Sequence, residues 1–176
     1  MTQANPDCLT DGHLLLFGKI IQCFARHETL LEEIMAAASG ADATSIKLLT
    51  MDLNFGQKRH ALLNLLRHRA LPIDQVDKIQ GFLRVPHTFA GLRNDIAHST
   101  WVQGDSPSLI HPAWLTHGPL VAIRAMHDIG EHKGDFVGNY DDQVTYTIEN
   151  LQAILKTLEE NYRGAREYAA GVGLAA

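Results

Sequence analysis

The stretch "TDGHLLLFGKIIQCFARHETLLEEIMAAAS", residues 10–39, decides the fold class. Phe17, Ile20, Ile21, Phe24, Leu31, Ile34, Met35 and Ala38 recur at three- and four-residue steps, which makes one face of a helix apolar for about seven turns. Thr10 or Asp11 can cap its start, because a short side-chain oxygen accepts from an otherwise orphaned backbone N–H. Gly40, in "SGAD", ends it, since glycine enters the left-handed region without a Cβ clash. An apolar stripe of that length must be covered by other elements, and the rest of the chain supplies more helix.

A second helical stretch runs from about Thr44 to Arg69, with Leu48, Leu49, Leu62, Leu65 and Leu66 expected inward. "NFG" at 54–56 is expected to break or bend it, and Pro72 stops it. "PID" restarts a helix with Asp74 in its first turn, where the helix dipole favours an anion. Val76, Ile79, Phe82 and Leu83 then lead to Pro86, whose missing N–H predicts a kink or a new helix near "PHTF". Phe89, Leu92 and Ile96 carry an apolar face on to His98.

From Ser99 to Asn139 the helical period disappears. "STWVQG", "SLIHPAWLT" and "LVAIRAMHD" are β-branched or aromatic runs separated by turn residues, and they read as short strands or a hairpin. A last helix is expected to open at Asp141 or Asp142 and to turn Val144, Ile148, Leu151, Ile154, Leu155 and Leu158 inward. It ends near Gly171, with "GVGLAA" as a frayed tail. The expected architecture is all-α: one domain over residues 1–176, a four- to five-helix up-and-down bundle with a small β-hairpin-like insertion near 99–139.

At 176 residues the chain can bury a core without a disulfide or a metal. No apolar run approaches the roughly 18 residues of a membrane span, so no membrane partner is expected. "MTQANPDCLTDG" lacks the basic and apolar regions of a secretory signal, and Cys8 and Cys23 match no disulfide framework, so a cytoplasmic protein is expected.

Net charge is −5, which argues against a generally basic, nucleic-acid-coating surface. The distribution is uneven. Residues 1–55 carry three basic and seven acidic side chains, residues 56–93 seven and two, and residues 94–176 five and eleven. In the basic middle, "QKRHALLNLLRHR" offers Lys58, Arg59, Arg67 and Arg69 as candidate RNA-binding residues, able to grip phosphates in a salt-dependent way. The same run also reads as the solvated face of an amphipathic helix, or as a partner for acidic outer helices.

No GxGxxG, P-loop, HExxH or GxSxG motif is present. Ten histidines raise the question of a metal. His60 and His68 lie on one face but about 12 Å apart at helical rise, too far for one ion. Nothing in the spacing of His111, His117, His127 and His132 demands convergence, so neither a metal nor a cofactor is expected.

"GLRNDIAHSTW", residues 91–101, puts Arg93, Asn94 and His98 within six positions at the end of a helix. An arginine, a polar residue and a histidine at this spacing, late in a helical bundle, resemble the signature of the HEPN superfamily (higher eukaryotes and prokaryotes nucleotide-binding domain). The resemblance covers the short motif and the order of helices over roughly residues 12–170; the 99–139 segment departs from the minimal family pattern. It implies a metal-independent endoribonuclease whose products end in 2′,3′-cyclic phosphate. His98 would be the acid–base group, Arg93 the phosphate stabiliser and Asn94 the positioner. The residue types suit that chemistry. An imidazole, with an ordinary pKa of about 6.5, exchanges protons near neutrality, and a guanidinium stays charged and binds phosphate bidentately.

Helix geometry sets a condition. At about 100° per residue Arg93 and His98 lie about 140° apart around a regular helix, whereas Asn94 and His98 share a face. Convergence needs the helix to end at or before His98, or two motifs to meet from two subunits. The resemblance implies the latter, a homodimer with a shared site, and a toxic or defence role beside a cognate antitoxin or regulatory protein. The competing reading makes the motif structural. Arg93 and Asp95 would be ion-paired to other helices, and His98 would sit on the negative end of the helix dipole. The chain would then be a catalytically inactive helical module binding protein or nucleotide through the same dimer surface. Trp101 and Trp114 can stack on bases or pack the insertion onto the bundle.

Overall fold

The computed structural model describes residues 9–103, 110–113 and 146–175. Among them run α1 (Asp11–Ser39), α2 (Ala43–Thr50), α3 (Phe55–His68), α4 (Ile73–Thr88), α5 (Ala90–His98), β1 (Thr100–Gln103), β2 (Ile110–Ala113) and α6 (Ile148–Gly171). The fold is all-α, accompanied by one pair of short antiparallel strands with Thr100 opposite Ala113. Most of the 99–139 segment, including "LVAIRAMHD" and Trp114, lies outside the described residues.

Local chemistry sets the helix ends. Asp42 caps α2 by accepting from the Ser45 N–H at 2.9 Å. Asn54 caps α3 in a reciprocal box with Gln57, which is why the chain breaks at "NFG" rather than bending through it. α1 ends at Gly40, which takes φ +74° and bonds the Ala36 carbonyl. A new helix does begin at "PHTF", with Phe89 as its N-cap, though Pro86 itself belongs to the preceding helix. Pro86 stands buried in the last turn of α4, where it removes only one bond, and the break falls at Phe89.

The last helix opens at Ile148 rather than at Asp141 or Asp142. Thr147 and Asn150 form its cap: the Thr147 hydroxyl accepts from the Asn150 N–H at 3.1 Å, and the Asn150 side chain accepts from the Thr147 N–H at 3.2 Å. Val144 lies outside the described residues. The expected frayed tail is instead a Schellman turn. Gly173, at φ +73°, bonds the Ala170 carbonyl, and the Leu174 N–H bonds the Ala169 carbonyl. Leu174 is thereby returned to the core.

The chain divides into two compact units. One contains residues 23–87 and 158–176. Its core joins Leu31 and Ile34 of α1, Ile46 of α2, Leu62 and Leu66 of α3, Val76 and Ile79 of α4, and Ala165 and Ala169 of α6. Leu31, Leu62 and Leu66 are fully buried, each worth about 1.5–3 kcal/mol of transfer free energy. Leu48 and Leu49, expected inward, are 64% and 77% exposed. α2 is only two turns long, and its inward direction is set by Ile46 and Thr50, four residues apart.

The other unit holds the described residues up to Gln22 and from Thr88 to Thr157. Here Trp101 of β1 packs on Phe17 of α1 with ring centroids 4.6 Å apart, and Tyr146 meets its edge at 5.9 Å. Tyr146 also exchanges two backbone bonds with Ile110, at 3.0 and 2.7 Å. Trp101 is therefore a packing residue, holding the strand pair to α1.

Candidate functional site

The motif falls on α5, nine residues long. Leu92 and Asp95, one turn apart, are its buried positions. That anchoring fixes the rotation of the helix: Arg93 is half-buried, and Asn94 and His98 are exposed. An Arg93 Nη donates to Asn94 Oδ1 at 3.1 Å, so the phosphate-binding candidate and its neighbour are already coupled. The helix stops at His98. Ser99 turns extended (ψ 147°), its N–H closing on the Asp95 carbonyl, and β1 begins one residue later. Among the described residues the His98 side chain has no hydrogen-bond or ion-pair partner, and it shares no contact of that kind with Arg93. One chain thus brings Arg93 and Asn94 together and leaves His98 apart.

Asp95 has no ion pair among the described residues, contrary to the competing reading of the motif as structural. Its side chain is buried, and burial pushes its carboxyl up to about 6. Tyr146, raised above the ordinary phenol value chiefly by its own burial, feels the Asp95 charge as a second cause. A sequence signal did exist: Asp95 stands three residues after Leu92 on the face marked by Phe89, Leu92 and Ile96.

The basic run lies in the other unit and is largely engaged in structure. Lys58 is buried, its ammonium 2.6 Å from Glu32 and 3.9 Å from Glu28, both on α1. As placed, it neutralises α1 rather than facing a phosphate. The Thr50 hydroxyl donates to the Ile46 carbonyl at 2.9 Å and stands 3.4 Å from Glu32. Arg69 donates to the Ser39 carbonyl at 2.6 Å, satisfying the C-terminal end of α1. Arg67 donates to Gln80 at 3.5 Å. Arg59 is half-buried, and its Nε has no acceptor among the described residues.

Two histidines are buried in the helices. His27 Nδ1–H donates to the Cys23 carbonyl at 2.9 Å. Its Nε2 stands 3.1 Å from the Asn161 side-chain amide, which satisfies a neutral ring when the amide presents its NH₂. His13 Nδ1 accepts from the Thr10 N–H at 3.2 Å and meets the Thr10 hydroxyl at 2.9 Å. Burial lowers the pKa of both rings. Among the described residues, no three His, Cys, Asp or Glu side chains stand close enough to share one ion. Among the same residues, no helix is long and apolar enough to cross a membrane.

No known protein family matches this chain, and neither curated proteins nor solved structures provide a match.

Proposed function

We propose that the chain is a HEPN-type helical bundle that acts in the cytoplasm as a metal-independent endoribonuclease, with a site shared across a homodimer. One observation carries this reading: α5 ends at His98, which leaves its imidazole exposed on the same short helix as a preformed Arg93–Asn94 pair. A structural role for Arg93 would pair it with another helix, and it has no ion pair among the described residues; His98 does stand on the last turn of α5, where the helix dipole also favours it.

In the proposed reaction, one imidazole takes the proton of a ribose 2′-hydroxyl. The 2′-oxygen attacks phosphorus, the bond to the 5′-oxygen breaks, and that oxygen leaves with a proton from water, which the imidazolium then resupplies. The products are a 2′,3′-cyclic phosphate and a 5′-hydroxyl. Arg93 meets the charge growing on the non-bridging oxygens, and Asn94 holds the guanidinium in place. Each of the two facing sites uses His98 of one protomer beside Arg93 of the other, so a single copy completes neither site. Arg59, Arg67 and Arg69 remain candidates for a salt-dependent RNA footprint; Lys58 is set aside because Glu32 holds it. A cognate antitoxin or regulatory protein is the partner this role calls for.

The test is cleavage of a mixed RNA pool by purified protein in EDTA, beside His98→Ala and Arg93→Ala. Cleavage that survives chelation, leaves cyclic phosphate ends and disappears in both variants supports the nuclease. No cleavage by a well-folded wild-type dimer overturns it in favour of an inactive module that binds protein or nucleotide.

A further inference from the structure

In the unit built from residues 23–87 and 158–176, α1 and α6 run in the same direction. Cys23 feels the charge of Glu159, His27 packs on Tyr162 and bonds Asn161, and Arg166 feels Glu33. A cleft of about 580 Å³ opens on these two helices, within the roughly 300–1,000 Å³ range of small-molecule sites. Two of its lining side chains, Cys23 and Ala170, are small. Three others are arginines: Arg26 from α1, and Arg163 and Arg166 from α6.

The charges in this cleft are poorly matched within the protein. Arg166 donates to the Tyr162 hydroxyl at 3.1 Å. Arg26 and Arg163 have no hydrogen-bond or ion-pair partner among the described residues. Yet Glu159 and Glu167 stand four residues before and after Arg163, the spacing at which helical ion pairs form. An anion entering the cleft would meet the exposed Arg26 and Arg163 and the Arg166 that already feels Glu33, beside the carboxylates of Glu159 and Glu167. A carboxylate offers two oxygens; a phosphate monoester offers three and a charge near −2, which suits three planar donors better. The buried Cys23 thiol, pushed up to about 11 chiefly by burial and further by Glu159, supplies no thiolate, so the cleft is suited to binding rather than covalent chemistry.

We propose that Arg26, Arg163 and Arg166 form a binding site for the phosphate of a small phosphate monoester, whose apolar part rests on Cys23, Ala170 and Tyr162. The site uses none of the motif residues and does not rest on the nuclease reading.

The first experiment is titration of the full chain with phenyl phosphate, inorganic phosphate and benzoate, followed by calorimetry and amide chemical shifts. Phenyl phosphate is expected to saturate at millimolar concentration or below, several-fold tighter than inorganic phosphate and than benzoate. Arg26→Ala and Arg163→Ala are each expected to weaken it about tenfold, and Arg163→Lys to fall well short of the wild type. Glu159→Gln is expected to tighten it two- to threefold, a gain that a damaged fold cannot produce. Lys47→Ala, on α2, should leave it unchanged. Absence of saturable binding, or wild-type affinity in both arginine variants, overturns the site. Equal affinity for inorganic and phenyl phosphate overturns the monoester and leaves free phosphate as the ligand.

Discussion

Ala70 is the one described non-glycine residue with positive φ, at +53°. It occupies the left-handed position of a Schellman turn after α3, with its N–H on the Arg67 carbonyl and the Leu71 N–H on the Leu66 carbonyl. Alanine pays for its Cβ there, so Ala70→Gly is expected to stabilise the protein by about 1 kcal/mol, read as an increased urea midpoint. Asp95 carries a larger and pH-dependent cost. Its folded-state pKa, about 6, lies above the ordinary 3.8, so the native state holds the proton more tightly than the unfolded chain. Stability is therefore lost as pH rises from about 4 to about 6, and the loss is complete above that window. Asp95→Asn should raise stability at pH 8 by about 1 kcal/mol, a figure kept small because water screens part of the carboxyl, and the gain should vanish near pH 4. Unfolding curves of both proteins at the two pH values decide it; an equal difference at both would exclude titration of Asp95 as the cause. Ala70 was not legible in the sequence, and for Asp95 its place beside an apolar face was only a partial signal. Alanine carries no turn signal, and whether an acidic residue beside an apolar face is buried depends on what packs against it.

At the scale of elements, the sequence read best where periodicity was long and worst where elements were short. The seven-turn face of α1 and the run of α6 from Leu151 to Leu158 needed no tertiary information. α2, at eight residues, left too few apolar positions to define a side, and Leu48 and Leu49 were assigned inward by composition. The basic face of α3 was ambiguous because charge does not say which neighbour it meets. Lys58 ties α3 to α1 through Glu32. Lys58→Ala would leave Glu32, itself mostly buried, without its cation, and about 3 kcal/mol of destabilisation is expected. The double variant with Glu32→Gln should recover much of that loss, and a double variant no better than the single one would show that packing, not charge, dominates. The end of α6 makes a similar point. A frayed tail predicts no effect of Leu174→Ala, whereas the Schellman turn that buries this side chain predicts a loss of about 2 kcal/mol in thermal or urea unfolding.

For the molecule as a whole, the motif is legible in one chain but its chemistry is not. Arg93 and His98 stand about 140° apart around α5, and the end of the helix at His98 frees the imidazole without carrying it to the guanidinium. The proposed reaction therefore depends on a second copy, and subunit mixing tests that dependence directly. Arg93→Ala and His98→Ala homodimers are each expected to be inactive. If every site takes its arginine from one protomer and its histidine from the other, a heterodimer of the two variants keeps one intact site. At equal mixing half the dimers are hybrids, so about a quarter of wild-type cleavage should return. The mixture must be denatured and refolded together, or exchanged to equilibrium, and its activity followed against time after mixing. A return that grows with subunit exchange places Arg93 and His98 in one composite site. No return, from hybrids shown to form, confines each site to a single chain and removes the geometric reason for the dimer.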